Sequence, residues 1–467
     1  MERYQVLMSR AKELAFNTII IGIGNFGTKV LSFFLLPIYT SCLSTKDYGT
    51  YDLFATIAAF VLPLVTALME ESMFRFLIDC KNDEEKTDVI THTMICIMVG
   101  SVLFSLLYLI ICLVFDFEYK ELFYGLIMSN IVVAMRNTYL RGLGKIKLYA
   151  ILNFVLSAMF VFLNILFIVV LKIGVTGLFV SNIIVGAVSL LMVIPVLFRY
   201  VRIKRFNKLL MIDMLKYSIP LIPNSMCWAV INTSDRLVIT ASLGANENGI
   251  YSIANKFPSA MDAIYNFFYI AWKESAAKTV KHIDSKRFYI QIHNALRRIL
   301  FSSLLITICV IPLAFNLLVK NDYTNAYIYI PVLLLSMYFA NMSGFYGGIF
   351  SAYKDTRIMG ITTIVAALVN IVIDLTLIHF LGLWAAALST VVATFVMFVY
   401  RKIAVEKYVR FKTDIKELLC NVTILALVLV SYYCANIIIT IIVLVLCVVY
   451  SIVRNKKLIK TILGRRR

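Results

Sequence analysis

Apolar runs of about 20 residues recur along the whole 467-residue chain, and each is long enough to cross a membrane core about 30 Å thick. Hydrophobic residues make up 61% of the sequence and charged residues only 15%. Soluble domains have roughly 25% charged residues, so a soluble fold is excluded. The strands of a membrane β-barrel would instead give alternating segments of about 10 residues. We therefore predict an all-α, polytopic membrane protein.

The hydropathy pattern predicts about 14 transmembrane helices joined by short connections. The predicted spans are 14–36, 52–74, 92–115, 121–141, 149–171, 174–198, 217–241, 250–272, 294–319, 327–350, 358–380, 382–400, 417–435 and 437–453. The first run is too long for the apolar part of a signal peptide, and no small-residue cleavage site follows it. We expect it to remain as the first helix.

Lysine and arginine residues are concentrated on one side of this predicted topology. With a cytoplasmic N terminus, the inside segments hold 38 of the 45 basic residues. The outside loops hold only Lys46, Lys120, Lys172 and Lys320. Because cytoplasmic loops retain positive charge, both termini are predicted to be cytoplasmic. The net charge of +19 comes from these loops and not from a basic soluble domain, so we expect no nucleic-acid partner.

A sequence repeat at an offset of 200 residues predicts two related halves. Segment 40–51, TSCLSTKDYGTY, shares Thr, Leu, Gly and Tyr with segment 240–251, TASLGANENGIY. A weaker match links Asn164, Gly174 and Gly177 with Asn370 and Gly382. Chance similarity between two outer loops is the alternative explanation.

The repeat and the helix count together divide the chain into four parts. We predict an N-terminal six-helix lobe, a basic cytoplasmic linker, a C-terminal six-helix lobe, and a last region with two extra helices and a basic cytoplasmic tail. Their bounds are 1–198, 199–216, 217–400 and 401–467. Transporters built from such repeats bind substrate between the repeated parts.

Of the 45 basic residues, three are counted with neither side: Lys29, Arg236 and Lys256, and all three lie inside predicted spans. A charge at mid-membrane costs roughly 2.5–3.5 kcal/mol on insertion scales, so we expect it to face a wet cavity or a partner. Amide side chains accompany these charges at helical spacing: Asn25, Asn232 and Asn255. We predict that the basic and amide side chains together line a substrate-binding cavity.

Two other interpretations stay open for these residues. Asparagine side chains also join membrane helices through hydrogen bonds. Arg236 and Lys256 lie nearer the predicted outer surface than Lys29, so they can also snorkel or pair with Asp235 or Asp262.

Three acidic residues are candidates for ion coupling: Asp235, Asp262 and Glu70. A carboxylate inside a membrane protein can hold a proton or a small cation. A local ion pair is the alternative for the two aspartates, and a solvated cytoplasmic rim is the alternative for Glu70. Asp374 and His379 are weaker candidates, for which a local hydrogen-bonded pair is the simpler explanation. The nine cysteines show no metal-ligand spacing, and we expect neither a metal nor a cofactor.

Several short segments resemble one family of membrane transporters. FFLLPIYT at 33–40, DYG at 47–49 and ESMFRF at 71–76 resemble the polysaccharide transport branch of the multidrug/oligosaccharidyl-lipid/polysaccharide exporter superfamily. The Wzx-type O-antigen flippases belong to this branch. YSIPLIP at 217–223 and the pair Asp235-Arg236 are similar to the second half of the same proteins.

The resemblance implies a flippase of the bacterial cytoplasmic membrane. It implies that undecaprenyl-diphosphate-linked oligosaccharide moves from the cytoplasmic to the outer leaflet by alternating access, for O-antigen, lipopolysaccharide or other surface polysaccharide. It also implies a cationic cavity for the diphosphate, an H⁺ or Na⁺ gradient as driver, and contacts with membrane lipids and other polysaccharide assembly proteins.

Two further functions stay open. A multidrug-type, ion-coupled antiporter of the same superfamily would have an acidic cavity, whereas the charges buried in these spans are mainly basic. A membrane polysaccharide polymerase or ligase would need a sizeable outer domain, and the longest predicted outer loop has only about 15 residues. No nucleophile motif or nucleotide motif is present, so we expect a transporter and not an enzyme.

Overall fold

The computed structural model describes residues 35–202, 206–280, 283–353, 355–412, 414–434 and 436–464. Every regular element in these ranges is a helix, which confirms the all-α prediction. The chain divides into two compact units, Met1–Thr233 and Ser234–Arg467, here called the N-terminal and the C-terminal unit. The four-part division expected from the sequence stays a prediction.

The helices of the N-terminal unit follow one another through short connections. They are α1 Leu36–Cys42, α2 Thr45–Thr66, α3 Met69–Asp79, α4 Asp83–Val114, α5 Lys120–Gly142, α6 Ile146–Asn164, α7 Thr176–Tyr200, α8 Lys208–Ser218 and α9 Ile222–Leu243. A π-helical turn, Ile165–Val170, extends α6, and α9 continues across the boundary into the C-terminal unit.

The C-terminal unit contains the remaining helices. They are α10 Ala245–Thr279, α11 Ser285–Leu318, α12 Ile330–Ala352, α13 Thr356–Leu381, α14 Leu383–Val405, α15 Ile415–Tyr433 and α16 Ile437–Gly464. A 3-10 segment, Asn321–Tyr329, leads into α12.

Ten segments of the described residues are long and apolar enough to cross a membrane, so the chain is a multi-pass membrane protein. Helices α5, α9 and α10 are not among these ten segments, although they coincide with predicted spans. The first predicted span, 14–36, lies outside the described residues except for its last two positions. The number of 14 spans therefore stays a prediction.

The second predicted span, 52–74, is not one helix. Helix α2 ends at Thr66 and α3 begins at Met69. Between them Ala67 and Leu68 adopt left-handed backbone angles, with φ of 48° and 51°. A left-handed conformation costs an L-residue roughly 1–2 kcal/mol, so two in succession end the helix.

The two units repeat one tyrosine contact. In the N-terminal unit the Tyr51 hydroxyl accepts a hydrogen bond of 2.6 Å from Asn182. In the C-terminal unit the Tyr251 hydroxyl lies 3.4 Å from the Thr390 hydroxyl. The tyrosines are 200 residues apart, and their partners lie eight positions after Gly174 and Gly382, the glycines that the sequence repeat aligns. The repeat seen in the sequence therefore has a counterpart in side-chain contacts.

Helices α5 and α7 pack closely because a glycine lies at their contact. A Cβ atom on Gly186 of α7 would lie 2.4 Å from the Cβ atom of Ser129 on α5. Ser189 lies almost one turn further along α7, where its hydroxyl accepts a hydrogen bond of 2.8 Å from Arg136 of α5. The close approach thus places a buried arginine between the two helices.

Helices α11, α15 and α16 are joined by one carboxylate. Glu417 of α15 accepts a hydrogen bond from Arg297 of α11 at 2.5 Å and forms an ion pair with Arg454 of α16, with 2.7 Å between nitrogen and oxygen. The Glu417 side chain is only 16% exposed, so its charge is partly withdrawn from water. This arrangement ties the C-terminal pair of helices to the rest of the unit.

Candidate functional site

Two carboxyl groups face each other inside the C-terminal unit. Asp235 lies on α9 and Asp374 on α13, and the two carboxyl groups are close enough to interact electrostatically. The two residues are 6% and 0% exposed. Two like charges so close, in surroundings that exclude water, cannot both persist without a positive charge between them.

Hydroxyl groups from two helices converge on Asp235. Tyr251 of α10 donates to one carboxylate oxygen at 2.6 Å, and the Thr390 hydroxyl of α14 lies 2.7 Å from the same oxygen. The backbone oxygen of Ala386 is 2.8 Å from the Thr390 hydroxyl and 3.5 Å from the Tyr251 hydroxyl. Carboxylate, hydroxyl and carbonyl oxygens therefore meet at one point.

A chain of hydrogen bonds supports Asp374. Ser234 donates to the Asn370 side-chain oxygen at 2.9 Å, and the Asn370 amide donates to Ser389 at 3.1 Å. The Ser389 hydroxyl lies 2.5 Å from an Asp374 oxygen. Asn370 and Asp374 share one face of α13 because they are four residues apart. The turn at Gly382, with φ of 57°, brings α14 back alongside that face.

One oxygen of each carboxyl group has no hydrogen-bond partner within the described part of the chain: Asp235 Oδ1 and Asp374 Oδ2. Their hydrogen bonds to described residues come from neutral groups only. Hard monovalent and divalent cations prefer oxygen ligands of the kinds gathered here. The ranges that the structure describes contain no cluster of three or more His, Cys, Asp or Glu side chains. Two open carboxyl oxygens beside neutral hydroxyl groups suit a shared proton or a monovalent cation such as Na⁺.

The corresponding positions of the N-terminal unit are apolar. The 200-residue offset relates Asp235 to Leu35, and the match of Asn164 with Asn370 relates Ile168 to Asp374. Leu35 and Ile168 are 0% and 2% exposed. The repeat therefore relates the carboxyl pair of the C-terminal unit to two buried apolar residues of the N-terminal unit.

The structure places the predicted substrate-binding residues only in part. Lys29 and Asn25 lie outside the described residues, and the side chain of Asn232 is not described. Arg236 and Lys256 are half-buried on α9 and α10. Asn255, also half-buried, donates to the backbone oxygen of Tyr251 at 3.1 Å. The predicted cationic cavity stays a prediction.

The three predicted ion-coupling residues lie in different surroundings. Asp235 belongs to the carboxyl pair. Asp262 is half-buried on α10, where the Asn266 amide is 3.5 Å from it, and it lies eleven residues, or about 16 Å, beyond Tyr251. Glu70 belongs to the N-terminal unit, where it is 7% exposed and accepts a hydrogen bond of 3.1 Å from Thr66. Glu70 is thus buried and not on a solvated rim.

Sequence analysis missed most of the residues around the carboxyl pair: Tyr251, Asn370, Ala386, Ser389 and Thr390. It treated Asp374 as a weak candidate. The available signal was the spacing of Asn370 and Asp374 on one helix, followed after Gly382 by the adjacent hydroxyls of Ser389 and Thr390. These residues form one site because α13 and α14 pack on each other, which the spacing alone does not show.

Comparisons with known proteins place this site in a transporter fold. A family model described as polysaccharide biosynthesis protein matches residues 14–272. The structure of the lipid II flippase MurJ in an inward closed conformation matches with a TM-score of 0.73 and 16% identity, covering 94% of this chain and 100% of that one. No curated protein sequence matches significantly.

Two further solved structures are similar. An inward-facing MATE multidrug transporter of the MOP superfamily has a TM-score of 0.65 and 15% identity, covering 84% of this chain and 98% of that one. A MOP superfamily transporter from Pyrococcus furiosus has a TM-score of 0.57 and 16% identity, covering 84% and 95%. At these identities the likeness concerns the fold, and it confirms the predicted membrane-transporter fold.

Proposed function

Because the chain belongs to the polysaccharide biosynthesis protein family, we propose that it flips a lipid-linked oligosaccharide across a membrane during surface polysaccharide biosynthesis. The proposed substrate is an undecaprenyl-diphosphate-linked oligosaccharide, moved from the cytoplasmic to the outer leaflet of the bacterial cytoplasmic membrane. The observation that carries the proposal is that the family match and a fold shared with a flippase occur in one chain.

The carboxyl pair supports coupling to an ion gradient. A proton or cation bound between Asp235 and Asp374 would join α9 to α13 and, through Thr390, to α14. Without it, the two charges repel in surroundings of low dielectric constant. Asp235 lies two residues beyond the boundary of the two units, on the helix that runs through both. Ion binding there would therefore bias the conformations between which an alternating-access transporter moves.

The substrate diphosphate is assigned to the basic residues within the predicted spans, Lys29, Arg236 and Lys256, with the amides Asn25, Asn232 and Asn255 as additional ligands. A diphosphate is a strong anion, and guanidinium or ammonium groups shielded from water bind it well. The lipid tail would stay in the bilayer while the sugar crosses a wet interior. Both termini are proposed to be cytoplasmic, and other polysaccharide assembly proteins are the proposed partners.

The experiment uses the full-length protein in liposomes that contain a fluorescent undecaprenyl-diphosphate-linked oligosaccharide. A membrane-impermeant reagent that quenches only the outer leaflet then reports the rate of transbilayer movement. We expect the protein to accelerate movement, and an imposed H⁺ or Na⁺ gradient to accelerate it further. A rate equal to that of protein-free liposomes under every gradient would reject the proposed function.

A multidrug-type antiporter is the second candidate, because the fold is also that of solved MATE transporters and the carboxyl pair suits ion exchange. The same liposomes distinguish the two functions when a cationic dye replaces the lipid. Gradient-driven dye transport without movement of the lipid-linked sugar would favour the antiporter. A lengthened oligosaccharide in the product would instead indicate a polymerase or ligase.

A further inference from the structure

Arg136 is a buried charge of the N-terminal unit that the proposed function does not use. It lies on α5 and is 3% exposed. Its guanidinium group donates to the Ser189 hydroxyl at 2.8 Å and to the side-chain oxygens of Asn137 and Asn153, both at 2.6 Å. All these partners are neutral, and Arg136 Nε has no partner within the described residues. A buried cation without an opposite charge is costly, so an anion at this nitrogen would stabilise the unit.

Arg401 of the C-terminal unit is a buried arginine with which Arg136 can be compared. It is 2% exposed, and its Nε donates to Thr362 at 2.9 Å. Its other two nitrogens donate to the Ser343 carbonyl at 3.1 Å and to Thr363 at 3.0 Å. Every guanidinium nitrogen of Arg401 is therefore bonded within its own unit. Arg136 differs because its Nε has no partner among the described residues.

A cavity of about 260 Å³ adjoins Arg136. Its polar lining residues are Arg136, Tyr139 and Lys145, and its apolar lining residues are Leu140, Leu148, Leu152, Met192 and Val196. Pockets for whole drug-sized ligands are typically about 300–1,000 Å³, so this cavity suits a small charged group with a short apolar extension. Two cations and several aliphatic side chains around one cavity fit an anionic amphiphile.

The surroundings of the cavity point to the membrane as the source of that amphiphile. Ile151 and Phe154 of α6 and Leu191 of α7 expose large apolar side chains close to it in the sequence. The basic segment 136–147 belongs to the side that the distribution of lysine and arginine assigns to the cytoplasm. Basic pockets between helices on that side are suited to anionic lipid headgroups.

We propose that this cavity binds the phosphate of an anionic phospholipid from the cytoplasmic leaflet. Arg136 Nε–H and the Lys145 ammonium group bind the phosphate oxygens, and Leu148 and Leu152 contact the first acyl carbons. The hydrogen bonds that the other guanidinium nitrogens donate to Asn137, Asn153 and Ser189 hold Nε in place. The bound lipid neutralises Arg136 and links α5 to α6. This site is independent of the proposed flipping activity.

The test is native mass spectrometry of the full-length protein released from nanodiscs of phosphatidylcholine and phosphatidylglycerol. Lys145→Gln is compared with Lys147→Gln. Both lysines are exposed and lie two residues apart, but only Lys145 lines the cavity. We expect Lys145→Gln to retain about fivefold less phosphatidylglycerol, and Lys147→Gln to match the wild type. Equal retention by both variants would overturn the proposal.

Two further measurements keep the result interpretable. Arg136→Lys retains the charge and loses the planar donor group. We expect this variant to retain less phosphatidylglycerol than the wild type. Thermal unfolding checks that it is folded. If Arg136→Lys does not fold, the comparison of the two lysine variants still decides the matter. Millimolar inorganic phosphate should leave the lipid bound, because it lacks the acyl carbons. Complete displacement by phosphate would show a free-anion site and reject the lipid.

Discussion

Asp235 and Asp374 approach each other across α9 and α13, and each leaves one oxygen without a hydrogen-bond donor among the described residues. Hydroxyl donors occupy the remaining oxygens, so the open pair of oxygens is where a positive charge would be held. Neither carboxyl group alone would require a bound positive charge, because a single buried acid can stay protonated. The pair, and not either residue, is therefore the unit on which predictions should be made.

Asp374→Asn should uncouple transport from the ion gradient while leaving the fold intact. The amide keeps the shape of the side chain, removes one of two like charges and can donate to Asp235 Oδ1. We expect the gradient-dependent part of the flipping rate to fall by about tenfold or more, the effect of losing one charge-assisted interaction. Asp284→Asn, at an exposed position before α11, serves as the control. Unchanged gradient dependence in Asp374→Asn would contradict the assignment.

Tyr251→Phe should weaken ion binding without removing the site. The ring remains and the hydrogen bond of 2.6 Å to Asp235 is lost. Since a hydrogen bond to a charged group contributes about 1.5–3 kcal/mol, the ion concentration for half-maximal flipping should rise about tenfold or more.

Tyr51→Phe is the matched control for this change, because Tyr51 occupies the repeated position and bonds to a neutral amide, that of Asn182. Its flipping should keep the ion dependence of the wild type. Equal shifts in the two variants would show that the tyrosines act on folding and not on the ion.

Replacing the basic residues within the predicted spans should reduce flipping of the lipid-linked sugar. Lys29→Gln, Arg236→Gln and Lys256→Gln each remove a charge and retain a long polar side chain. We expect each to slow flipping about tenfold, because each removes one charge-assisted bond to the diphosphate. Lys46→Gln, in a predicted outer loop, should have no effect. Wild-type rates in all three well-expressed variants would exclude the cationic cavity.

Glu417→Gln should destabilise the C-terminal unit. The change leaves Arg297 and Arg454 facing each other without the carboxylate that joins them. The expected loss is about 1–3 kcal/mol of unfolding free energy, since a charged hydrogen bond and an ion pair become weaker in a partly exposed site. Thermal unfolding in detergent measures it. Glu406→Gln, at an exposed position after α14, should leave the unfolding temperature unchanged, and an equal change in both variants would refute the prediction.

Acid should remove a contribution to stability at Asp355, outside the spans. Hydrogen bonds from Lys407 and Tyr408 hold the pKa of this carboxyl below its usual value. A lowered pKa means that the contribution is present at neutral pH and lost as the pH falls through that lowered value. Asp355→Asn should therefore unfold at a slightly lower temperature than wild type at pH 7, and the difference should narrow below about pH 4. A difference that does not change with pH would be inconsistent with this linkage.

Hydropathy was sufficient to predict the all-α membrane fold because it depends on local composition. The break at Ala67 and Leu68 could not be predicted in the same way, since both residues favour helix and only the surrounding structure holds them in left-handed conformations. Arg136 and Arg401 were counted with cytoplasmic segments, yet both are buried. They lie near helix ends, where sequence does not show whether a long side chain turns towards water or towards neighbouring helices.

The carboxyl pair shows the same limit for functional sites. Asp235 was recognised because it adjoins a basic residue in an apolar run. Asp374 and Asp235 are 139 residues apart, and nothing in the sequence sets the rotation of α13 against α9. The repeat could have helped, since it relates both acids to apolar residues, Leu35 and Ile168. That comparison becomes meaningful only when the four positions are known to be buried.

The apolar character of Leu35 and Ile168 bears on the stoichiometry of transport. Among the described residues, the positions that the repeat relates hold a carboxyl pair in the C-terminal unit and apolar side chains in the N-terminal unit. The proposed coupling therefore loads one charge per cycle. One elementary charge crossing the membrane yields about 2.3 kcal/mol per 100 mV. At such potentials one charge would support an accumulation ratio of about 50 between the leaflets. A steeper ratio would draw on the charge of the diphosphate itself, on a chemical gradient of the ion or on later reactions that consume the flipped sugar.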